Sequence, residues 1–384
     1  MKVLYVIDSL ASKGGAERIL TEKMNYLVSR FGYEVTVVTC HQNVDTLPNT
    51  YDLLPQVRQV NLCIPFYVQY KVGYPRRFFV KLKIRRQLVH NLTACVLQED
   101  PDILIGVSYF DADIVCGIPC RAKKIIESHD ARPFTLQRQG LSRYWFSDLY
   151  MKWFRQRYFS QIEQRADVVV TLTQGDALEW NKAKRVTVIP NFSIMPVTAF
   201  STGEEKRVLA IGRLEWQKGF DLLIDAWTII SPQHLDWRLD IIGTGMLEED
   251  LKRRISDAGL TNVQIHPFTS QISKEYARSS LFVLSSRFEG FSLVLLEAMR
   301  HGVPCVSFDC PYGPSDVLVD GISGLLANND DSSDLAAKMG QLMGDNTLRK
   351  RMATAAIERA KTFNVDEIMQ KWKILFKSLK PQSA

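Results

Sequence analysis

Two carboxylates and a short run of backbone amides carry the most suggestive chemistry in this 384-residue chain, within residues 285–299, SSRFEGFSLVLLEAM. The apolar run 280–284 ahead of them reads as a buried parallel strand. Glu289 and Gly290 then make a turn, and 292–300 has the spacing of a short buried helix. A loop between the C-terminal end of a strand and a helix N-terminus is where an α/β sheet binds ligands. Free N–H groups at 291–294 are expected to point there, with the positive end of the helix dipole behind them. Glu289 precedes the turn and Glu297 follows eight residues later. Amides that attract phosphate, flanked by acids that accept hydroxyl hydrogen bonds, suit a sugar nucleotide. A loop glutamate and a half-buried helix glutamate also occur in ordinary domains, so the pair needs company.

Arg213 and Lys218 supply some of it, five residues apart in GRLEWQKG after an expected strand. A planar fork and a point charge both suit a pyrophosphate whose leaving-group charge grows in the transition state. Near the start, Ser12-Lys13-Gly14-Gly15-Ala16-Glu17 follows a strand and opens a helix, a turn whose glycines let an anion approach the backbone. Gly243-Thr244-Gly245 invites a dinucleotide reading but fails it, because Glu248 stands where the third glycine belongs. Asp111-Ala112-Asp113 has the form of a cation-holding DxD, and equally that of acids at the start of a helix. His129 closes a strand and is a candidate partner for a sugar hydroxyl; a lone histidine is also often structural.

These residues need scaffolds. Strands are expected at 3–7, 34–39, 57–62, 103–107, 124–127 and 168–172, then at 208–211, 238–242, 263–266, 281–284 and 303–308. Helices include 16–29, 220–230, 247–258, 348–362 and 365–379. Strands alternating with helices indicate doubly wound parallel sheets, here two Rossmann-like halves and a helical tail. Hydrophobic content of 46% and charged content of 23% are those of a globular chain with material for two cores. The apolar run 3–7 is too short for a signal or a membrane span, so a cytoplasmic location is expected. Seven scattered cysteines, with Cys116 and Cys120 the nearest pair, read as reduced thiols rather than a zinc site.

Net charge is +6, and its distribution says more than its size. Segment 71–86, KVGYPRRFFVKLKIRR, has seven basic residues and no acid, with Phe78, Phe79, Val80, Leu82 and Ile84 interleaved. Segment 138–165 repeats the mixture more loosely, from Tyr144 to Phe159. Such helices bind an anionic membrane or substrate, or form a solvated basic face over an aromatic stripe. Nucleic acid is not expected, since no RNA-binding or zinc-finger signature accompanies the charge.

Taken in order, Gly14-Gly15-Ala16-Glu17, Ser128-His129, Ile189-Pro190-Asn191, Gly212-Arg213 with Lys218-Gly219, Gly243-Thr244-Gly245, the Glu289/Glu297 pair and Asn328 closing GLLAN resemble glycosyltransferase family 4. The resemblance runs over nearly the whole length and is strongest at 208–326. It implies the GT-B fold, two Rossmann-like doubly wound parallel-sheet domains facing a central cleft. The implied divisions are an acceptor domain at 1–191, a linker at 192–206, a donor domain at 207–362, and a helix at 363–384 crossing back. It further implies that Arg213 and Lys218 bind the donor diphosphate and that Glu297 holds the ribose. Glu289, with Gly290, Phe291, Ser292 and Leu293, would hold the transferred sugar, beside Gly212 and Gly243. His129 would reach that sugar from the first domain, and Gly15 would lie near the phosphates. His129, Arg213, Lys218 and Glu289 are thus the expected catalytic set, in a retaining transfer without cofactor or metal.

Residues 307–316, SFDCPYGPSD, are similar to a bacterial branch that extends lipid-linked glycans for surface polysaccharides such as capsule and lipopolysaccharide, or for protein glycosylation, from UDP-sugars. The expected partners are therefore a nucleotide-sugar donor, a lipid-linked glycan acceptor and an anionic membrane surface. Arg76, Arg77, Lys81, Lys83, Arg85 and Arg86 would grip the lipid diphosphate. Pro267 departs from the glycine that many relatives have, which leaves base recognition open. Two rivals remain, a UDP-sugar 2-epimerase of the same fold and a non-catalytic nucleotide-sugar sensor; a glycan-binding or nucleic-acid-binding module is more distant.

Overall fold

Short runs of Val, Ile and Leu, buried along almost every residue, become parallel strands because helices cover both faces of such a sheet. In the computed structural model these strands form two sheets; the structure describes residues 1–12, 14–43, 46–73, 76–108, 111–134 and 145–380. The contacts divide the chain into two units, one built from Met1–Leu172, Asp176–Ile189 and the residues from Met369 on, the other from Thr173–Gly175 and Pro190–Ile368.

In the first unit β1 (Lys2–Ile7), β2 (Glu34–Thr39), β3 (Arg58–Asn61), β4 (Ile103–Val107), β5 (Lys123–Ser128), β6 (Val168–Thr171) and β7 (Val186–Val188) pair in the order β3-β2-β1-β4-β5-β6-β7. Every ladder is parallel. The helices are α1 (Gly15–Phe31), α2 (Arg76–Glu99), α3 (Ala112–Gly117), α4 (Trp145–Arg165) and α5 (Gln174–Glu179). One core joins Leu4, Val6, Leu104, Ile126 and Val169 of the sheet to Leu88 and Leu92 of α2 and to Phe159 and Ile162 of α4.

In the second unit β8 (Arg207–Ile211), β9 (Arg238–Ile242), β10 (Val263–His266), β11 (Leu281–Leu284), β12 (Cys305–Phe308) and β13 (Leu325–Ala327) pair in the order β10-β9-β8-β11-β12-β13, again all parallel. The helices are α6 (Phe220–Ile230), α7 (Glu248–Asp257), α8 (Ile272–Ala277), α9 (Leu293–Arg300), α10 (Pro314–Val317), α11 (Ser332–Gly344) and α12 (Asn346–Lys361); α13 (Val365–Leu379) begins in this unit and from Met369 on belongs to the first. Val208, Leu239, Leu281 and Val306 pack against Leu223 and Trp227 of α6 and Leu335 and Met339 of α11.

The order of strands matters for function. The chain adds β9 and β10 on one side of β8, then returns to place β11 on the other, with Leu281 beside Val208 and Phe282 beside Leu209. The C-terminal ends of β8 and β11 therefore flank a topological switch point, where connecting loops diverge and leave room for a ligand. The loop with Arg213 and Lys218 and the loop with Glu289 are those two loops.

Residues 192–206 are not a free linker. Arg300 donates to the Ser193 side chain at 3.0 Å, the Ser201 amide to the His301 carbonyl at 2.8 Å, and Ser201 Oγ to the Ser279 carbonyl at 2.6 Å. From Met369 on, α13 packs with the first unit: Phe376 lies 6.4 Å from the Tyr33 ring.

Candidate active site

The β8 and β11 loops are fastened to each other. Arg287 donates its amide to the Gln217 carbonyl at 2.8 Å and one guanidinium nitrogen to the Trp216 carbonyl at 2.7 Å. The same guanidinium grips Asp221 through two bonds of 2.9 and 2.6 Å and lies 4.7 Å from the Trp216 ring centre. Burial would raise the Asp221 carboxyl, but the bonds and charge of Arg287 outweigh it and hold it below the usual range. Gln217 Nε2 donates to the Phe288 carbonyl, and Ser285 Oγ to the Lys218 carbonyl. Gly219 makes the approach possible. It has φ +61°, and a side chain there would collide with the Ser285 carbonyl oxygen.

That bracing brings Lys218 and Glu289 together. Lys218 Nζ meets Glu289 Oε1 at 2.7 Å, and Ser286 Oγ donates to the same oxygen at 2.6 Å. Both side chains are mostly buried, yet each is a charged group of a kind that a diphosphate or a sugar hydroxyl could engage. Arg213, at the head of the same loop, is the opposite case. Its side chain is 68% exposed and touches only Glu215, at 3.3 Å, among the described residues, so its guanidinium can reach an anion without giving up a buried partner.

Past Glu289 the chain turns into α9. The N-cap is Ser292, whose side chain makes no capping bond; its Oγ is buried without a partner. The amides of Phe291, Ser292 and Val294 make no hydrogen bond among the described residues. Leu293 corrects the expectation of four free donors, since its N–H is turned back onto the Phe291 carbonyl at 3.0 Å. Unsatisfied donors at a helix start attract anions. Within α9, Glu297 is buried and accepts from Tyr276 OH at 3.2 Å, while His301 Nδ1 lies 2.7 Å from the Glu297 carbonyl. Burial pushes His301 down, and the ring braces the end of the helix against Ser273 Oγ at 2.8 Å.

Gly212 and Gly243 let the β8 and β9 loops touch. A side chain at Gly243 would strike the Gly212 carbonyl, and the Leu214 amide donates to the Thr244 carbonyl at 2.9 Å. The structure thus brings together Gly212, Arg213, Lys218, Gly243, Glu289 and the start of α9.

His129 and Gly15 belong to the first unit. Gly15 is the first residue of α1. His129 is buried just past β5, and its Nε2 lies 3.0 Å from Glu127 Oε2. The same oxygen accepts from Lys23 Nζ at 2.5 Å, and Lys23 lies 3.6 Å from the Trp372 ring centre on α13. Burial would raise the Glu127 carboxyl, but Lys23 and His129 outweigh it and bring it down; burial also lowers Lys23, with Glu127 resisting. The sequence reading missed Lys23 and Glu127. The signal was present: a lysine on the apolar stripe of α1 and a glutamate after Ile125-Ile126 in a buried strand.

The basic segment forms α2. Its buried side is Ile84, Leu88, Leu92, Cys95 and Val96. Arg76, Lys81, Lys83 and Arg86 are exposed, as are Phe78, Phe79 and Leu82. Arg77 lies 4.7 Å from the Tyr70 ring centre. Arg85 differs from its neighbours, since its two nitrogens hold Asp111 at 2.7 Å and Asp113 at 2.5 Å. That pairing occupies both acids of the DxD, which also open α3. Residues 13, 74–75 and 138–144 of the highlighted segments lie outside the described residues. All seven cysteines are free, and among the described residues no cluster of metal ligands occurs. Among the same residues no helix is long and apolar enough to cross a membrane.

Comparison with known proteins matches both units. Residues 13–192 fit the model for Glycosyltransferase Family 4 and residues 197–359 that for Glycosyl transferases group 1. An uncharacterized glycosyltransferase from Haemophilus influenzae is 26% identical over 97% of this chain and 99% of its own length. The Campylobacter jejuni enzyme named GalNAc-alpha-(1->4)-GalNAc-alpha-(1->3)-diNAcBac-PP-undecaprenol alpha-1,4-N-acetyl-D-galactosaminyltransferase is 25% identical over 99% of both chains. A variant of S. aureus TarM, crystallised with Fondaparinux, alpha-GlcNAc-glycerol and UDP, superposes with TM-score 0.76 at 16% identity, covering 98% of this chain and 99% of that one. With each half matched by one of these models and two parallel-sheet α/β units of the GT-B kind, the chain carries the two domains of a glycosyltransferase.

Proposed function

We propose that this glycosyltransferase moves a hexose or N-acetylhexosamine from a UDP-sugar to a lipid-linked or polysaccharide acceptor in the synthesis of bacterial surface glycans, with retention at the anomeric carbon and without a metal. The observation that carries the reading is the Lys218–Glu289 contact beside the uncapped start of α9, at the switch point of the second sheet. Glu289 would accept from sugar hydroxyls, and Arg213, Lys218 and the α9 amides would take the diphosphate. Glu297 would accept from the ribose. The full-length likeness to an enzyme whose name specifies an undecaprenol-linked acceptor, and the UDP in the TarM crystal, support acceptor class and base.

The chemistry follows from charge. The bond from the anomeric carbon to the phosphate oxygen breaks, and the developing negative charge meets Arg213, Lys218 and oriented amides, which do electrostatically what a cation does elsewhere. The acceptor hydroxyl adds to the anomeric carbon on the same face, and its proton passes to the departing phosphate oxygen. The engagement of Asp111 and Asp113 by Arg85 supports metal independence, because it leaves the DxD in an ion pair. At the membrane, exposed cations and phenylalanines on α2 fit an anionic lipid surface, as a peripheral protein on the cytoplasmic face requires.

Thermal unfolding with UDP, GDP, ADP and their sugar conjugates, with and without EDTA, tests the donor reading. A ligand at roughly one hundred times its dissociation constant adds about 2.7 kcal/mol. A UDP-selective rise that EDTA does not change, and that Arg213→Ala and Glu297→Ala both lose, is expected. No rise with any nucleotide would reject the site.

A further inference from the structure

Glu127 lies near the end of β5 and His129 is the first residue past it, and their side chains meet where the strand ends. There Lys23 of α1 meets Glu127, and the two share with His129 a single carboxylate oxygen. All three side chains are at most 3% exposed. Glu127 Oε1 is buried with no partner. A carboxylate, being acceptor-only, can hold the imidazole at Nε2 only if Nε2 carries the proton. Nδ1 makes no hydrogen bond among the described residues, and in the neutral ring it is then the acceptor. Lys23 keeps Glu127 charged, and Trp372 caps Lys23.

We infer that Glu127, fixed by Lys23, is a positioning residue for His129: it accepts the Nε2–H hydrogen bond and leaves Nδ1 as an acceptor for a substrate hydroxyl. The inference rests on the transferase reading above for there being such a hydroxyl, while the ring orientation stands apart from it. Neither Lys23 nor Glu127 touches substrate; their effect on transfer passes through the imidazole. A buried ion pair whose only role was packing would be replaceable by apolar side chains of similar volume, often with no loss of stability. A positioning pair would not be replaceable without loss of the ring's tautomer.

Nitrogen chemical shifts of histidine-labelled protein report that tautomer directly. The chain has six histidines, and His129→Ala identifies the signal. The neutral wild-type ring is expected in the Nε2-protonated form alone. Lys23→Met/Glu127→Met should mix the tautomers and lower kcat about tenfold, the scale of one lost hydrogen bond, with UDP affinity unchanged. Lys23→Met/Glu127→Gln, which keeps an acceptor oxygen, should restore both. If the Met/Met protein does not fold, Glu127→Asp carries the same comparison by withdrawing the carboxylate one methylene. An unaltered ring signal in a folded Met/Met variant, or unaltered kcat, overturns the inference. If the wild type turns over no UDP-sugar, the donor reading fails instead, and the ring signal alone decides whether Glu127 sets the tautomer.

Discussion

Replacing Gly219 with alanine should uncouple the two loops that make the candidate site. Its backbone is left-handed, at φ +61°, which costs alanine about 1–2 kcal/mol. The added methyl would also meet the Ser285 carbonyl, which belongs to the backbone and cannot swing away like a side-chain tip. Relieving that collision separates the β8 and β11 loops. It puts at risk the 2.9 Å bond from Ser285 Oγ to the Lys218 carbonyl and the 2.8 Å bond from the Arg287 amide to the Gln217 carbonyl. At about 1 kcal/mol each, these bring the total to about 3–4 kcal/mol. In a unit of this size that lowers the unfolding midpoint by about 6–16 °C. Gly259→Ala is the control: its φ is +65° but nothing lies near the added carbon, so only the backbone strain applies. Differential scanning calorimetry of both variants, with and without UDP, makes the comparison. Equal midpoints, with UDP stabilisation undiminished in Gly219→Ala, would refute the close-approach argument.

Other expectations follow from single features. Burial raises Asp176 to about 6, against the opposing bonds from Ser128 and the Arg132 amide. The folded state then binds this proton more tightly than the unfolded chain, whose carboxyl titrates near 3.9, so stability is lost as pH rises through that window. The loss is about 3 kcal/mol, and Asp176→Asn should remove it; urea titrations at several pH values read the difference. Lys81, Lys83 and Arg86 changed to Gln together should weaken binding to phosphatidylserine vesicles by about 1 kcal/mol per charge, more at low salt, with UDP binding intact. Arg85 is left out because its charge is committed to Asp111 and Asp113. Arg287→Ala removes the Asp221 pair and the tie to Trp216, and a raised KM for donor with a lower midpoint is expected from steady-state rates and melting.

How far the sequence disclosed this depends on what kind of signal each element leaves. The strands Glu34–Thr39, Ile103–Val107, Arg238–Ile242 and Leu281–Leu284 fall where their apolar runs predict them, because a largely buried strand has few other compositions; Val263–His266, half-buried at the sheet edge, also falls where it was expected. β13 went unread: Leu325–Ala327 is three residues at a sheet edge, too short for a period. The 24-residue span of α2 was also unread, since its charge pattern drew notice while its buried stripe of Ile84, Leu88 and Leu92 begins beneath that charge and runs past it. Loop residues were legible by type but not by pairing. Arg213 and Lys218 looked like a matched couple, yet one is exposed and the other buried against Glu289, a contact across 71 residues that no local spacing encodes.

The same reasoning explains why the supporting charges escaped notice while the candidate ligand contacts did not. Residues that would meet substrate sit in glycine-rich loops, which break the apolar period and so announce themselves. Lys23, Glu127, Asp221 and Arg287 sit at the margins of regular elements or inside them, where a charge looks like an ordinary surface position until its partner is known. Their cost shows what they do. A buried charge is tolerated only when paired, and removing one member of such a pair is worth about 3–5 kcal/mol. The fold retains one such buried pair, Lys23–Glu127 at the end of β5, and a half-buried bidentate Arg287–Asp221 clamp beside the switch point of the second sheet. In both cases the charge is spent where a strand ends and a loop residue must be aimed: His129 in the first unit, Lys218 and Glu289 in the second.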